Sequence, residues 1–119
     1  MSEFRDLAPG ITRQRLVVEG YPSFPITEAH IRTFLHELSL VTGMVPLIPP
    51  VTHRSTRYGW AGWIHWETSG AHFYAWEDPL LFFSVDLYTC KAFDPTAVIA
   101  FTAAFFAVAS PADLVAKEF

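Results

Sequence analysis

The sequence predicts an α+β fold, a two-layer α/β sandwich in which an antiparallel sheet carries helices on one face. Three observations predict it. Read in order, the segments run strand, helix, two or three strands, helix, with no internal repeat or low-complexity stretch between them. Residues 80–90 alternate between an aliphatic row and a polar row, the pattern of a strand with one covered face and one free face. The chain has 119 residues, the length of one domain and too short for two.

The elements follow in chain order. Residues 1–10 read as a loose lead-in ending in Pro9-Gly10. Residues 12–19 form a strand centred on Leu16, Val17 and Val18, broken by Gly20-Tyr21-Pro22. Thr27 is an N-cap for a helix running to about Val41, because Ile31, Phe34, Leu35 and Leu38 fall on one helical face. Gly43 stops that helix. Residues 44–52 hold Pro46, Pro49 and Pro50, so they are extended but unfit for a central strand. Strands are expected over 60–67 and 71–76, joined by a turn at Thr68-Ser69-Gly70, and a third over 80–90. In that third strand Leu81, Phe83, Val85 and Leu87 form the aliphatic row, while Ser84, Asp86, Tyr88 and Cys90 form the polar one. Asp94 and Pro95 open a second helix as N-cap and first residue. Val98, Phe101 and Phe105 form its buried stripe, and Pro111 ends it.

Composition narrows the function. Apolar residues make up 51% and charged residues 17%, with nineteen aromatics, more apolar surface than one protomer readily hides. Burial of the excess between copies predicts a homo-oligomer. The net charge is −4 and no basic run exceeds two residues, which argues against nucleic acid as a partner. A single cysteine, Cys90, excludes an internal disulfide. No secretory signal is visible at the start, and the apolar stretch 97–109 is too short to span a bilayer, so the expectation is a cytoplasmic protein that makes no use of membranes. His53, His65 and His72 have no metal-ligand spacing, and no metal is expected. His30 and His36, on the first helix, are expected to be solvated.

The most informative stretch is the middle. Residues 59–69 read GWAGWIHWETS, followed by Trp76-Glu77-Asp78-Pro79 and then Val85-Asp86-Leu87-Tyr88-Thr89-Cys90. This layout resembles the prokaryotic S-adenosylmethionine decarboxylase family, in motif over residues 59–90 and in architecture over about 11–110. Members of that family carry a small-residue turn, an apolar strand and glutamate-serine-histidine at a self-processing site. A tryptophan-proline-glutamate segment and a valine-aspartate strand ending in threonine-cysteine follow. The resemblance implies a lyase acting on S-adenosylmethionine and serving polyamine biosynthesis. Its cofactor is a pyruvoyl group made by self-cleavage, here between Thr68 and Ser69. It implies that Ser69 becomes the cofactor and that Cys90 returns a proton to the product carbon. The processing histidine aligns with Tyr74, and His72 lies two positions earlier on the same strand face. Glu67, Trp76, Asp86 and Tyr88 are the expected substrate-binding residues. The partner implied is a small molecule, S-adenosylmethionine or a related amine, with the chain assembled as a homodimer or higher oligomer around the helix-free face. The chain departs from the family pattern at Thr68, where the glutamate stands, at Gly70, where a histidine stands, and by one extra residue between Trp76 and Cys90.

Other readings of the same residues stay open. Ser69 and Gly70 are ordinary turn residues. A lone cysteine is most often a small buried hydrophobe. Asp86 is a natural partner for an arginine such as Arg54 or Arg57. Two other functions fit the resemblance. One is an unprocessed paralogue that binds S-adenosylmethionine or a related amine and uses Glu67, Tyr74 or His72 for non-decarboxylative lyase chemistry. The other is a non-catalytic binding or regulatory subunit.

Overall fold

The computed structural model describes residues 4–119, so the first three residues of the expected lead-in lie outside the described residues. The element order is β1 (Gln14–Gly20), α1 (Glu28–Thr42), β2 (Val51–Ser55), β3 (Gly59–Trp66), β4 (Ser69–Trp76), β5 (Phe82–Thr89), α2 (Pro95–Phe105), a 3-10 turn (Pro111–Asp113) and β6 (Leu114–Glu118). The six strands form one sheet in the order β2-β3-β4-β5-β1-β6, with every neighbouring pair antiparallel.

Local chemistry explains where the helices start and stop. Thr27 caps α1 in a capping box: its hydroxyl accepts from the His30 N–H, and His30 Nδ1 accepts from the Thr27 N–H at 3.0 Å. His30, expected to be solvated, is therefore a capping residue, and its ring packs on Phe24 with centroids 4.8 Å apart. Gly43 closes α1 in the left-handed conformation, φ 70°, which glycine adopts without a Cβ penalty. Asp94 caps α2 by accepting from the Thr96 N–H, with Pro95 next.

Both helices cover one face of the sheet. Phe34 of α1 is the hub: it stacks on Phe101 at 5.2 Å and touches Phe73, Phe105 and Phe106. From the sheet, Leu16, Val18, Ile64, Ala71, Phe73, Phe83, Val85 and Leu87 complete the core. The alternation read in the third strand holds: Phe83, Val85 and Leu87 are buried, while Ser84 and Asp86 are half-buried and Tyr88 is exposed.

Four expectations need correction. The turn between β3 and β4 is Glu67-Thr68, because Trp66 pairs with Ser69 and leaves two residues to close the hairpin. Ser69 and Gly70 thus belong to β4. Helix α2 ends at Phe105, well before Pro111, which opens the 3-10 turn instead; Val98 and Thr102 are buried, Phe101 and Phe105 only partly, and the fully buried ring is Phe106 at the cap. The proline-rich segment is no part of a central strand, as expected, but residues 51–55 just beyond it form a strand that was not expected, β2, at the edge of the sheet. A sixth strand, β6, was not expected at all; it pairs with β1 at the opposite edge.

Candidate functional site

The helix-free face gathers polar groups in cross-strand rows. Antiparallel register puts His65 (β3), Gly70 (β4), Tyr88 (β5) and Arg15 (β1) in one row. The next row holds Trp63, His72, Asp86 and Val17. The first row, with His72 and Asp86 of the second and Ser69, lines a hollow of about 510 Å³. Gly70 gives it a floor without a side chain: a Cβ there would come within 2.6 Å of the Ile64 carbonyl oxygen.

Asp86 is held by Arg15, not by Arg54 or Arg57. Arg15 Nε donates to Oδ1 at 3.1 Å and Nη2 to Oδ2 at 2.9 Å, a two-pronged pair. The correction follows from the sheet order: β1 lies beside β5, whereas Arg54 sits on the far edge strand and stacks over Trp60. The hydrogen bond to Asp86, then its charge, raises the Arg15 pKa above the ordinary arginine value. Both side chains are partly exposed, so the pair orients more than it stabilises.

Ser69 has an unusual environment. Its φ is +150°, a backbone region that residues with a Cβ rarely adopt, costing on the order of 1–3 kcal/mol. One donor serves both sides of the Thr68–Ser69 peptide: the Cys90 N–H donates to the Thr68 carbonyl at 2.8 Å and to Ser69 Oγ at 2.6 Å. The Thr68 hydroxyl reaches Met44 Sδ at 3.3 Å.

The remaining expected residues divide. His72, Asp86 and Tyr88 line the hollow with Ser69. Cys90 is exposed and lies one residue past the end of β5, so alternation along the strand no longer places it beside Asp86 and Tyr88. Its backbone, however, is bonded to Ser69. Glu67 is exposed in the hairpin turn and does not line the hollow. Tyr74 and Trp76 line a different hollow, of about 310 Å³, at the other end of β4 with His53, Arg54, Tyr58 and Trp60. Sequence reasoning missed Arg15 and treated His65 only as a metal candidate. The parity of Arg15, next to buried Leu16 in β1, already set it on the free face.

Among the described residues, no three His, Cys, Asp or Glu side chains are grouped closely enough to hold a metal, and no helix is long and apolar enough to cross a membrane.

The sequence profile of the S-adenosylmethionine decarboxylase family matches residues 17–112. In fold, the chain is similar to the crystal structure of the adenosylmethionine decarboxylase from Aquifex aeolicus VF5, with a TM-score of 0.70 and 15% sequence identity, covering 92% of this chain and 89% of that one. No curated protein matches the sequence.

Proposed function

We propose that this chain, which belongs to the S-adenosylmethionine decarboxylase family, cleaves itself between Thr68 and Ser69 and acts as a lyase on S-adenosylmethionine or a related amine. The observation that carries this reading is the Cys90 N–H bonded to both Thr68 O and Ser69 Oγ. If Ser69 Oγ attacks the Thr68 carbonyl carbon, negative charge collects on Thr68 O, where that donor already points. The strained φ at Ser69 favours the same attack, because leaving the peptide geometry relieves it.

The bonds balance as follows. Oγ displaces the Ser69 nitrogen from the Thr68 carbonyl, giving an ester and a free amine. Loss of the Ser69 α-proton then expels the Thr68 carboxylate from Cβ. The dehydroalanine left at residue 69 takes up water and releases ammonia to become a pyruvoyl group. That group supplies a carbonyl electron sink for loss of carbon dioxide from an amino acid.

The chain's own residues supply the rest. Asp86, fixed by Arg15, offers a carboxylate to a cationic substrate, and Tyr88 borders the same space. The exposed Cys90 thiol, at the residue whose N–H holds Ser69, is the proton donor to the product carbon. We further propose assembly of copies through the helix-free face, supported by the aromatic side chains it leaves exposed, Tyr74 and Tyr88 among them.

The test is the intact mass of the purified protein under denaturing conditions. Two fragments, residues 1–68 and 69–119 with the second beginning in a pyruvoyl group, are expected. A single full-length chain that persists for days would sink the pyruvoyl route. One observation favours the second reading, an unprocessed paralogue: Tyr74, at the family's processing-histidine position, lines the other hollow, away from Ser69. Calorimetric binding of S-adenosylmethionine by uncleaved wild-type protein would support it.

A further inference from the structure

The Cys90 N–H sits on the Thr68–Ser69 peptide, yet Cys90 itself lies just past the end of β5, where the strand ladder no longer fixes it. A donor is useful to a developing charge only if it is already held in place. Something outside the ladder must therefore hold the segment from Thr89 to Phe93.

Three side chains do so. The buried Thr89 hydroxyl donates to the Lys91 carbonyl at 2.8 Å, tightening the bend. Lys91 Nζ donates to the Gly43 carbonyl at 3.0 Å, tying the bend to the end of α1. Gln14 makes the third tie, and the most complete one. Its Nε2 donates to the Phe93 carbonyl at 3.1 Å, and its Oε1 accepts from the Phe93 N–H at 3.0 Å. Glu118 Oε1 accepts from the same Nε2 at 2.7 Å. A carboxylate only accepts and the Phe93 N–H only donates, so the two neighbours fix which way the amide faces. The Gln14 backbone is also the register partner of Thr89, and Thr89 is in turn the partner of Ser69. One residue thus grips both ends of the bend that carries Cys90.

We propose that Gln14 is a positioning residue for self-cleavage, holding the bend so that the Cys90 N–H stays on the Thr68 carbonyl; this rests on the self-cleavage reading above. When Ser69 Oγ bonds to the Thr68 carbonyl carbon, the C=O electron pair moves onto Thr68 O, against that N–H. The pair returns as the C–N bond breaks, and the hydroxyl proton ends on the departing nitrogen. Gln14 touches none of these atoms. It acts by keeping the donor from drifting with its bend.

The experiment compares wild type with Gln14→Met, which keeps the length and packing of the side chain and loses the amide. Intact mass over time should show wild type cleaving, and Gln14→Met cleaving more slowly by between about 10-fold and the roughly 10²–10³-fold that loss of a whole oxyanion donor costs. Gln14→Ala serves where Gln14→Met fails to fold. A second readout needs no cleavage: amide hydrogen exchange at Cys90, followed by nuclear magnetic resonance in the Ser69→Ala background, which keeps the Thr68 acceptor. Adding Gln14→Met should speed exchange at Cys90 several-fold and leave that at Val85, in the middle of β5, unchanged. Cleavage of Gln14→Met within a few-fold of wild type would overturn the assignment and leave the self-cleavage reading intact. Slower cleavage with unchanged exchange at Cys90 would overturn it too, because the donor would not have moved. An uncleaved wild type would remove both proposals together.

Discussion

Trp66 is one of the largest side chains in the core, 2% exposed, and its indole N–H donates to Ser39 Oγ at 2.8 Å. The Ser39 hydroxyl in turn donates to the Leu35 carbonyl at 2.9 Å, so both polar groups are satisfied inside the protein. Ser39→Ala would leave a buried N–H with no partner, which costs about 1–3 kcal/mol. Urea unfolding should register that loss, and Trp66→Phe in the Ser39→Ala background should recover part of it by removing the orphaned donor. An unchanged midpoint in Ser39→Ala would mean that another acceptor takes the indole. The site illustrates what was legible residue by residue. Asp86 and Tyr88 were readable as free-face groups because strand alternation is strict. Arg15 and His65 were not assigned to the site because their relevance depends on which strands are neighbours. The Cys90 backbone donor has no sequence signal, since every residue but proline carries an N–H.

At the scale of elements, α1 is tied to the edge strand β2 through one carboxylate. Glu28 Oε1 accepts from Arg32 Nε at 2.9 Å and from the Thr52 hydroxyl at 2.9 Å, while Arg32 also donates to the Pro50 carbonyl at 2.7 Å. The hydrogen bond from Arg32, then the one from Thr52, hold the Glu28 pKa below its ordinary value of 4.5. A depressed carboxylate pKa stabilises the fold above the ordinary value and loses that contribution as pH falls through the folded value. The stability gap between wild type and Glu28→Gln should therefore be widest above pH 4.5 and shrink on acidification below it. Chemical denaturation across pH 2.5–7 (about that range, chosen to bracket ordinary carboxylates) checks this, and a gap independent of pH would remove the link. Elements with strong local signals were legible: the α1 stripe, both N-caps and the Gly43 stop. The edges were not. β6 has five residues, all but the first exposed, and its partner β1 lies about a hundred positions earlier, so neither burial nor local pairing marks it. The extent of α2 was misjudged because its termination involves Phe106 turning into the core, a tertiary choice that overrides the next proline as a stop signal.

For the whole molecule, the asymmetry of the sheet sets the main expectation. One face is closed by α1 and α2 around Phe34. The other has no helix, yet it carries a run of neighbouring rings along β4 and β5: His72 with Tyr74 at 6.4 Å, Tyr74 with Trp76 at 6.0 Å, and Trp76 with Phe82 at 5.5 Å. A stable interface between proteins covers about 800 Å² on each partner, and aromatic side chains are the usual anchors of such surfaces. This face supplies the anchors on a rigid support, which is why assembly is proposed there and not at the charged edge strands. Sedimentation velocity at micromolar concentration should give a mass at least twice the 13.4 kDa of one chain. Tyr74→Asp puts a charge in the middle of the ring series, at a position 43% exposed in the single chain, so folding should be little affected. The variant should sediment closer to one chain while its circular dichroism stays that of wild type. If wild type itself sediments as one chain, the exposed rings serve a ligand instead, and the two hollows along β4 would then be open to solvent from one side in the working protein.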